Sequence, residues 1–331
     1  MIDESPLGAC GAPPGARCPP TAAAENRFDT LAHIPYDPPM PVRWGVIMRQ
    51  VAIIYKRGRT DAWELATALK GWLEKRAFTV TCRQNAEDWS GRQPPTPEGE
   101  IGADTEVVIV LGGDGTFLSV ARILENRSTP ILGVNLGGLG FLTEISRERC
   151  FLDLEEILSG RYVVEERLRL QVTVQRGEEE IFRQTVLNDA VINKGALARI
   201  VDLRATIDGR YLTSYRADGL IVATPTGSTA YNLSAGGPIV YPTALAIILT
   251  PICSFTLTNR PIILPANVRV QVELGERAQD VALTCDGQVG CELQAADQVQ
   301  VVCAVTPVRL IKAEATDYFE ILRTKLKWGQ N

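Results

Sequence analysis

Residues Val107-Val108-Ile109-Val110-Leu111-Gly112-Gly113-Asp114-Gly115-Thr116-Phe117-Leu118 decide the fold. Five apolar residues run without polar alternation, as in a parallel strand covered on both faces. Glycines and an aspartate break the run, and a helical pattern follows from Thr116 to about Glu125. Strand, glycine-rich turn and helix in that order form the unit of an open α/β sheet, whose ligands bind beyond the carboxyl ends of the strands. Adjacent glycines let backbone amides approach a phosphate with no Cβ in the way. Gly112, Gly113, Gly115 and Thr116 are therefore expected to hold a phosphate. A second turn, Asn135-Leu136-Gly137-Gly138-Leu139-Gly140-Phe141-Leu142, follows the next strand, so two glycine-rich loops are expected side by side.

Working outward, Val51 to Tyr55 and Phe78 to Cys82 read as strands. Between them a helix opens at Thr60 or Asp61, with Ala62, Leu65, Ala66, Leu69, Trp72 and Leu73 at the spacing of a buried face. A polar Pro-rich loop spans 90–100, and a strand at Ile131 to Val134 and a helix near Leu152 to Leu158 complete an α/β domain over 48–160, with an open, mostly parallel sheet. After Tyr162 the period becomes two: Leu168, Leu170, Val172 and Val174 alternate with polar residues, as do Leu203, Ala205 and Ile207, then Val268, Val270, Val272 and Leu274. Asp208-Gly209 and Cys285-Asp286-Gly287-Gln288 read as turns. An all-β, sandwich-like domain is expected over 161–315. The segment 316–331 carries Tyr318, Phe319, Ile321, Leu322 and Leu326 near helical spacing and is expected to pack back on the α/β domain. Residues 1–47 are rich in Pro, Ala and Gly without periodicity, which predicts a disordered extension. They lack the apolar core of a signal peptide, and ordered sequence begins near Met48, as it would if the extension reflected an upstream start codon.

Composition narrows the chemistry. The 331 residues are 45% hydrophobic and 22% charged, and 34 Lys+Arg against 39 Asp+Glu give a net charge of −5. That is an ordinary globular composition, with no global basic field for nucleic acid or an anionic membrane. Apolar runs such as Ala244 to Leu249 stop far short of the roughly 18 residues of a membrane span. The eight cysteines are scattered with no Cys-x-x-Cys pair, as expected for free thiols in a reducing cytoplasm. The single histidine, His33, lies in the extension, so histidine triads and zinc-protease motifs are unavailable and a general base must be a carboxylate. No Gly-Lys pair and no Gly-x-Gly-x-x-Gly occurs, which excludes a Walker loop and the common dehydrogenase fingerprint.

A third segment, Asp218 to Pro238, enters a turn crowded with small and hydroxyl residues: Thr224-Pro225-Thr226-Gly227-Ser228-Thr229-Ala230-Tyr231-Asn232-Leu233-Ser234. Taken with Gly112-Gly113-Asp114-Gly115-Thr116, Leu187-Asn188-Asp189, Asn259 to Pro265 and Asp286-Gly287-Gln288, the sequence beyond Met48 resembles the NAD kinase family. Gly-Gly-Asp-Gly alone is shared with diacylglycerol-type and sphingosine kinases and phosphofructokinases; the combination is specific. The resemblance implies transfer of the terminal phosphate of ATP, or of inorganic polyphosphate, to the 2′-hydroxyl of the adenosine ribose of NAD, giving NADP. It implies a divalent cation, Mg2+ travelling with ATP, and no metal site made by the protein alone. Asp114 matches the family's proton acceptor, and Asp114 and Gly115 its dinucleotide contacts. Asn188 and Asp189 match its Asn-Glu/Asp pair. Arg199, Arg216, Asp218, Thr229, Ala230, Tyr231, Asn232, Leu233, Ser234 and Gln288 look like further dinucleotide contacts. The family's usual homodimer or homotetramer, with neither nucleic acid nor membrane as partner, is the expected assembly. Pro251 to Leu257 departs from the family's His-Ser pattern, so its contacts are left open.

Ordinary structural roles compete at each point: Asp114 as a helix N-cap, Asn188-Asp189 as an Asx turn, Thr224 to Ser234 as a surface turn, Arg199 as a solvated strand edge. Two other functions share such a body, a lipid or sphingoid kinase and a non-enzymatic NAD(P)-binding sensor. The polar set at Thr224 to Ser234 disfavours a lipid acceptor, and Asp114 beside the phosphate loop disfavours a sensor. Deleting residues 1–47 is expected to leave the melting temperature and the rate of NAD phosphorylation nearly unchanged. A large loss of either would show that the extension packs or lines the site.

Overall fold

The computed structural model describes residues 49–85, 101–138, 140–195, 200–276, 278–313 and 317–329. The expected extension, the 90–100 loop and Arg199 lie outside the described residues. Along the chain come β1 (Arg49–Tyr55), α1 (Thr60–Glu74), β2 (Phe78–Gln84), β3 (Val107–Gly112), α2 (Asp114–Ile123), β4 (Ile131–Asn135), β5 (Ile145–Ser146), α3 (Cys150–Leu158) and β6 (Tyr162–Arg167). Then follow β7 (Leu170–Arg176), β8 (Glu179–Val186), β9 (Asp189–Lys194), β10 (Val201–Ile207), β11 (Arg210–Ala217), β12 (Gly219–Ala223), a 3-10 turn (Thr226–Thr229), α4 (Tyr231–Ser234) and β13 (Ala246–Ile252). The chain continues with β14 (Ile262–Pro265), β15 (Val270–Leu274), β16 (Val281–Cys285), β17 (Val289–Leu293), β18 (Gln298–Cys303), β19 (Val308–Ala313) and α5 (Tyr318–Leu326).

The first sheet has the order β2-β1-β3-β4-β19-β6, parallel from β2 to β19, with β6 antiparallel at the edge. The unbroken apolar run of β3 is explained by its surroundings. Ile109 and Leu111 face one core with Ala62, Leu65, Ala66 and Leu69 of α1 and Leu154 and Ile157 of α3. Val108 and Val110 face the opposite core with Phe117, Val120 and Ala121 of α2. The strand order reverses between β1 and β3, because β2 lies on one side of β1 and β3 on the other. That reversal opens the crevice at the carboxyl ends of the strands. Helix α2 starts at Asp114, two residues before the expected Thr116, since Gly113 is still extended (φ −115°, ψ −172°) and the helix begins directly after it.

The remaining strands form two antiparallel sheets, β11-β10-β15-β18-β7-β8 and β14-β13-β12-β9-β16-β17. Leu170, Val172, Leu203, Val272 and Val301 from one meet Ile192, Leu220, Val222, Leu249 and Leu283 from the other in a single core. This is the sandwich-like body that the alternating segments imply. Asp208 and Gly209 both have positive φ (50° and 76°), the conformation a two-residue hairpin needs. Strands β6 and β19, expected in the β-rich domain, pair into the first sheet instead. Alternation reports one buried face; it does not say which sheet the strand joins. No helix among the described residues is long and apolar enough to cross a membrane.

Arg169, on the link between β6 and β7, is only 2% exposed. Its guanidinium donates to the carbonyls of Thr306 (2.9 Å), Ala121 (3.1 Å) and Glu125, and so caps the carboxyl end of α2 with a positive charge. The same helix carries Asp114 at its other end. Arg169→Met is expected to cost roughly 2–4 kcal/mol in denaturant unfolding, because buried carbonyls lose their donors. Arg169→Lys should recover only part, since one ammonium cannot reproduce the planar fork. Parental stability of Arg169→Met would refute this role.

Candidate active site

The two glycine-rich loops meet at one carboxylate. Leu136 N donates to the Gly112 carbonyl at 3.2 Å, and the Asp114 carboxylate accepts from Phe141 N (3.0 Å), Leu142 N (3.1 Å) and Thr143 Oγ1 (3.2 Å). The N-cap of α2 is Gly113, and Asp114 is the first helical residue, so its carboxylate, bonded to the second loop, clamps the two loops instead of occupying the N-cap position. Gly140 is required at this point, because a Cβ there would overlap both the Asp114 carboxylate and the Thr143 hydroxyl. Asn135 stiffens the second loop by donating to the Gly138 carbonyl (2.8 Å) and Thr143 Oγ1 (2.9 Å) and accepting from Gly137 N (2.7 Å). A carboxylate has about four lone-pair directions. Three donors leave one edge of Asp114 for a reacting group. Open space lies where a Cβ of Gly113 would be, the access that a phosphate needs.

The facing wall comes from the sandwich. Asp189 opens β9 and pairs with Ala223 at the end of β12, which brings Asn188 beside the Thr224–Ser228 turn. Thr224 Oγ1 donates to the Leu187 carbonyl (2.5 Å), Thr224 N to the Asn188 carbonyl (2.8 Å), and Gly227 N to Thr224 Oγ1 (3.0 Å). The Asn188 main chain occupies the place a Cβ of Gly227 would take. Gln288 Nε2 donates across the cleft to the Gly115 carbonyl (2.7 Å), and Arg122 Nη1 donates to Gln288 Oε1 (2.8 Å). Asp114, Gly115, Asn188, Asp189 and Gln288 are thus brought together.

Asp189 is 4% exposed, and no donor among the described residues bonds its carboxylate. Burial, and then the neighbouring Asp286, push it up to about 7. Burial also lifts Asp286 to about 6, against the main-chain N–H groups of Leu187, Asn188 and Asp189, which pull it down. A buried carboxylate in such a place, with no donor bonded to it among the described residues, can accept from a ligand's hydroxyl or amino group.

The Thr224–Ser234 segment is less open than its composition suggests. Asn232 is fully buried and donates to the Ser228 (3.0 Å) and Pro238 (3.0 Å) carbonyls, while its oxygen accepts from Thr250 Oγ1 (2.6 Å). Ser228 Oγ bonds both the N–H and the carbonyl of Val240, and Thr229 Oγ1 donates to Thr226 O at 3.4 Å. The hydroxyls hold the turn. Tyr231 and Ser234 are exposed, and Thr229, Ala230 and Leu233 are half-buried. Arg216 and Asp218 precede the opposite end of β12, Asp218 five residues from Ala223, which at strand rise is about 17 Å. There the Arg216 guanidinium lies 5.5 Å from the Phe255 ring centroid and Asp218 3.6 Å from Lys194. Thr143 and Arg122 escape sequence reasoning, and Gly140, legible as part of the second glycine-rich turn, escapes it as a neighbour of Asp114. Nothing in Leu-Gly-Phe-Leu-Thr announces which carboxylate its donors will meet.

A carboxylate clamped between paired glycine-rich loops, in a switch-point crevice walled by a β-sandwich, defines a class: a kinase acting on a small-molecule hydroxyl. Residues 51–162 match the family model of the ATP-NAD kinase N-terminal domain, and 187–313 that of the ATP-NAD kinase C-terminal domain. The NAD kinase of Syntrophobacter fumaroxidans is 60% identical over 283 residues, 86% of this chain and 100% of the relative. That of Geobacter metallireducens is 50% identical over the same shares. Among solved structures, yeast NADH kinase complexed with NADH superposes with a TM-score of 0.76 at 27% identity, covering 87% of this chain and 90% of that one. An Archaeoglobus fulgidus NAD kinase in complex with ATP, 24% identical over 84% of this chain and 98% of its own, shares the fold with a TM-score of 0.66. The chain belongs to the NAD kinase family and carries that family's activity, phosphorylation of NAD.

The raised Asp189 has a signed consequence for stability. Between the unfolded value of 3.8 and the folded value of about 7 the native state holds a proton that the unfolded chain releases. The contribution is complete at low pH and is lost as pH rises through about 7. Asp189→Asn, which stays neutral, should therefore be more stable than the parent at about pH 8, with most of the gain gone at about pH 4. Denaturant unfolding at both values checks this; an offset independent of pH would contradict it.

Proposed function

We propose that Asp114 takes the proton of the 2′-hydroxyl of the adenosine ribose of NAD while the terminal phosphoryl group of ATP, or of inorganic polyphosphate, passes to that oxygen. The observation that carries this reading is the three-donor clamp on Asp114, which fixes a carboxylate at the mouth of the phosphate loops. The ribose O–H bond breaks toward Asp114, the new P–O bond forms, and the bond to the donor's bridging oxygen breaks, that oxygen leaving with ADP or with the shortened polyphosphate. Phosphoryl transfer of this kind needs mainly alignment and charge neutralisation. Gly112, Gly113, Gly115 and Thr116 supply amides and clearance for the donor phosphates at the start of α2.

Asn188 and Asp189 hold the adenosine half, with Gln288 at its edge. The exposed Tyr231, with Ala230, Leu233, Ser234 and Thr229, lines the same wall, and Asn232 supports the turn from inside. Arg216 and Asp218 serve the other end of an extended dinucleotide, as does Arg199. The division of labour follows: 48–160 handles the donor, 161–315 the dinucleotide, with β6 and β19 tying the two, and 316–331 closes back on the first part through Lys325, which lies 5.6 Å from the Phe141 ring centroid. Among the described residues no group of three His, Cys, Asp or Glu side chains forms a metal cage. We assign the divalent cation, Mg2+, to the donor's phosphates as part of the substrate, and no step here runs through it. The enzyme is assigned to the cytoplasm as a homo-oligomer. A polar wall of this kind favours a dinucleotide over a lipid acceptor, and the clamped base favours turnover over sensing.

Asp114→Asn is expected to lower the single-turnover rate at saturating NAD and ATP by about 10²–10⁴, the usual worth of a general base. It should also lose about 1–3 kcal/mol of stability, because an amide group turns a donor toward Phe141 or Leu142 N–H. Thr143→Val removes one clamp donor and keeps the carboxylate, so its rate should fall less than about ten-fold. Parental chemistry in Asp114→Asn would remove the base assignment.

A further inference from the structure

The turn between β16 and β17 touches both walls of the cleft. Asp286 and Gly287 adopt left-handed backbone (φ 52° and 65°), and the Asp286 side chain reaches the start of β9. Its carboxylate accepts three consecutive main-chain N–H groups, from Leu187 (2.9 Å), Asn188 (2.7 Å) and Asp189 (3.1 Å). Its own N–H donates back to the Asp189 carbonyl at 2.9 Å. Successive N–H groups converging on one point ordinarily make an anion site. Here the chain fills that site with its own carboxylate. Two residues on, Gln288 joins the same turn to the Gly115 carbonyl and to Arg122 of α2.

We propose that Asp286 is a positioning residue for phosphoryl transfer: its three main-chain bonds set the Asp189 carboxylate, and its turn, through Gln288, sets the distance from Asp189 to the phosphate loop at Gly115. The proposal rests on the reading of Asp189 as a dinucleotide ligand and deepens it. Asp286 itself touches no substrate. A carboxylate is needed because it offers acceptors only; an amide at this position would aim a donor at one of the three N–H groups. Its charge matters as well, since a like charge beside Asp189 makes that group hold its proton more tightly. The other charged and titratable groups around the pair are the Cys285 thiol, kept protonated by burial, and the cations Arg122 and Arg169.

The test is steady-state kinetics of Asp286→Asn and Asp189→Asn between about pH 5 and 9, with KM for NAD, KM for ATP and kcat read separately. In Asp286→Asn the KM for NAD should rise about ten-fold, the scale of a buried N–H left without an acceptor, with KM for ATP within about two-fold. The acid limb of kcat/KM for NAD should move to lower pH, because the charge that raised Asp189 is gone. A purely structural role would lower activity at every pH and leave the limb where it was. Gln288→Ala keeps Asp286 and its three bonds and cuts the span to Gly115; kcat, read at saturating NAD and ATP so that loss of Gln288's own contact with the dinucleotide falls on KM, should drop about five-fold, as misalignment does. It decides the matter alone if Asp286→Asn fails to fold. A parental KM for NAD in Asp189→Asn would sink the underlying reading. A raised KM in Asp189→Asn, together with an unmoved limb in Asp286→Asn or a parental kcat in Gln288→Ala, would overturn this proposal by itself.

Discussion

The grip of Phe141, Leu142 and Thr143 on the Asp114 carboxylate is the contact on which the site depends. Two loops that leave neighbouring parallel strands would otherwise move independently. One charged acceptor between them turns two flexible glycine turns into one surface. The far side of the second loop is held just as firmly. Glu144, next after Thr143, is buried against Lys312 of β19 at 3.1 Å, and Lys312 lies 3.2 Å from Glu165, which pairs with Arg167 at 2.6 Å. Burial raises Glu144, and Lys312 counters it. Ions so deeply placed are costly to separate, which gives β6 and β19 a reason to lie in the first sheet: they carry the counter-charges for the loop that holds Asp114.

The facing wall is built on a different principle. Where the first wall fixes a charge between glycines, the Thr224–Ser234 turn consumes its own polar groups. Thr224, Ser228 and Asn232 are each satisfied inside the fold. A buried polar network paired this closely is rigid. Among the described residues, the groups that remain to meet a ligand include the Asp189 carboxylate, the buried Thr226 hydroxyl, which has no partner there, the exposed Tyr231 ring and main-chain groups of the turn. Rigidity on one side and a clamped carboxylate on the other suit the proposed reaction, whose barrier falls mainly through alignment.

Much of this was legible in the order of residues. The uninterrupted run from Val107 to Leu111 reports a strand with helices on both faces, and the alternation at Leu203, Ala205 and Ile207 reports a half-buried strand, because side-chain period follows burial directly. The glycine-rich turn from Gly112 to Gly115 was legible as well, since missing Cβ atoms leave open space at Gly113 and let Thr116 pack on Gly112. Sheet membership is not local: β19 follows the sandwich strands directly in the chain yet lies beside β4. Partners across the chain are equally hidden. Asn232 has the composition of a ligand residue, but its pairing with Thr250 is decided by tertiary packing. Asp286 reads as a turn residue, while its bonds run to Leu187, Asn188 and Asp189, 97–99 positions earlier in the chain.

The central claim is that the clamped carboxylate and the acceptor hydroxyl meet. A crystal structure of this enzyme with NAD measures that directly. The account predicts the ribose 2′-oxygen within hydrogen-bond reach of the open edge of Asp114, about 2.6–3.2 Å, with Phe141, Leu142 and Thr143 still bonded to the same carboxylate. A 2′-hydroxyl bonded elsewhere and out of reach of Asp114, in a complex with the loops unchanged, would contradict it.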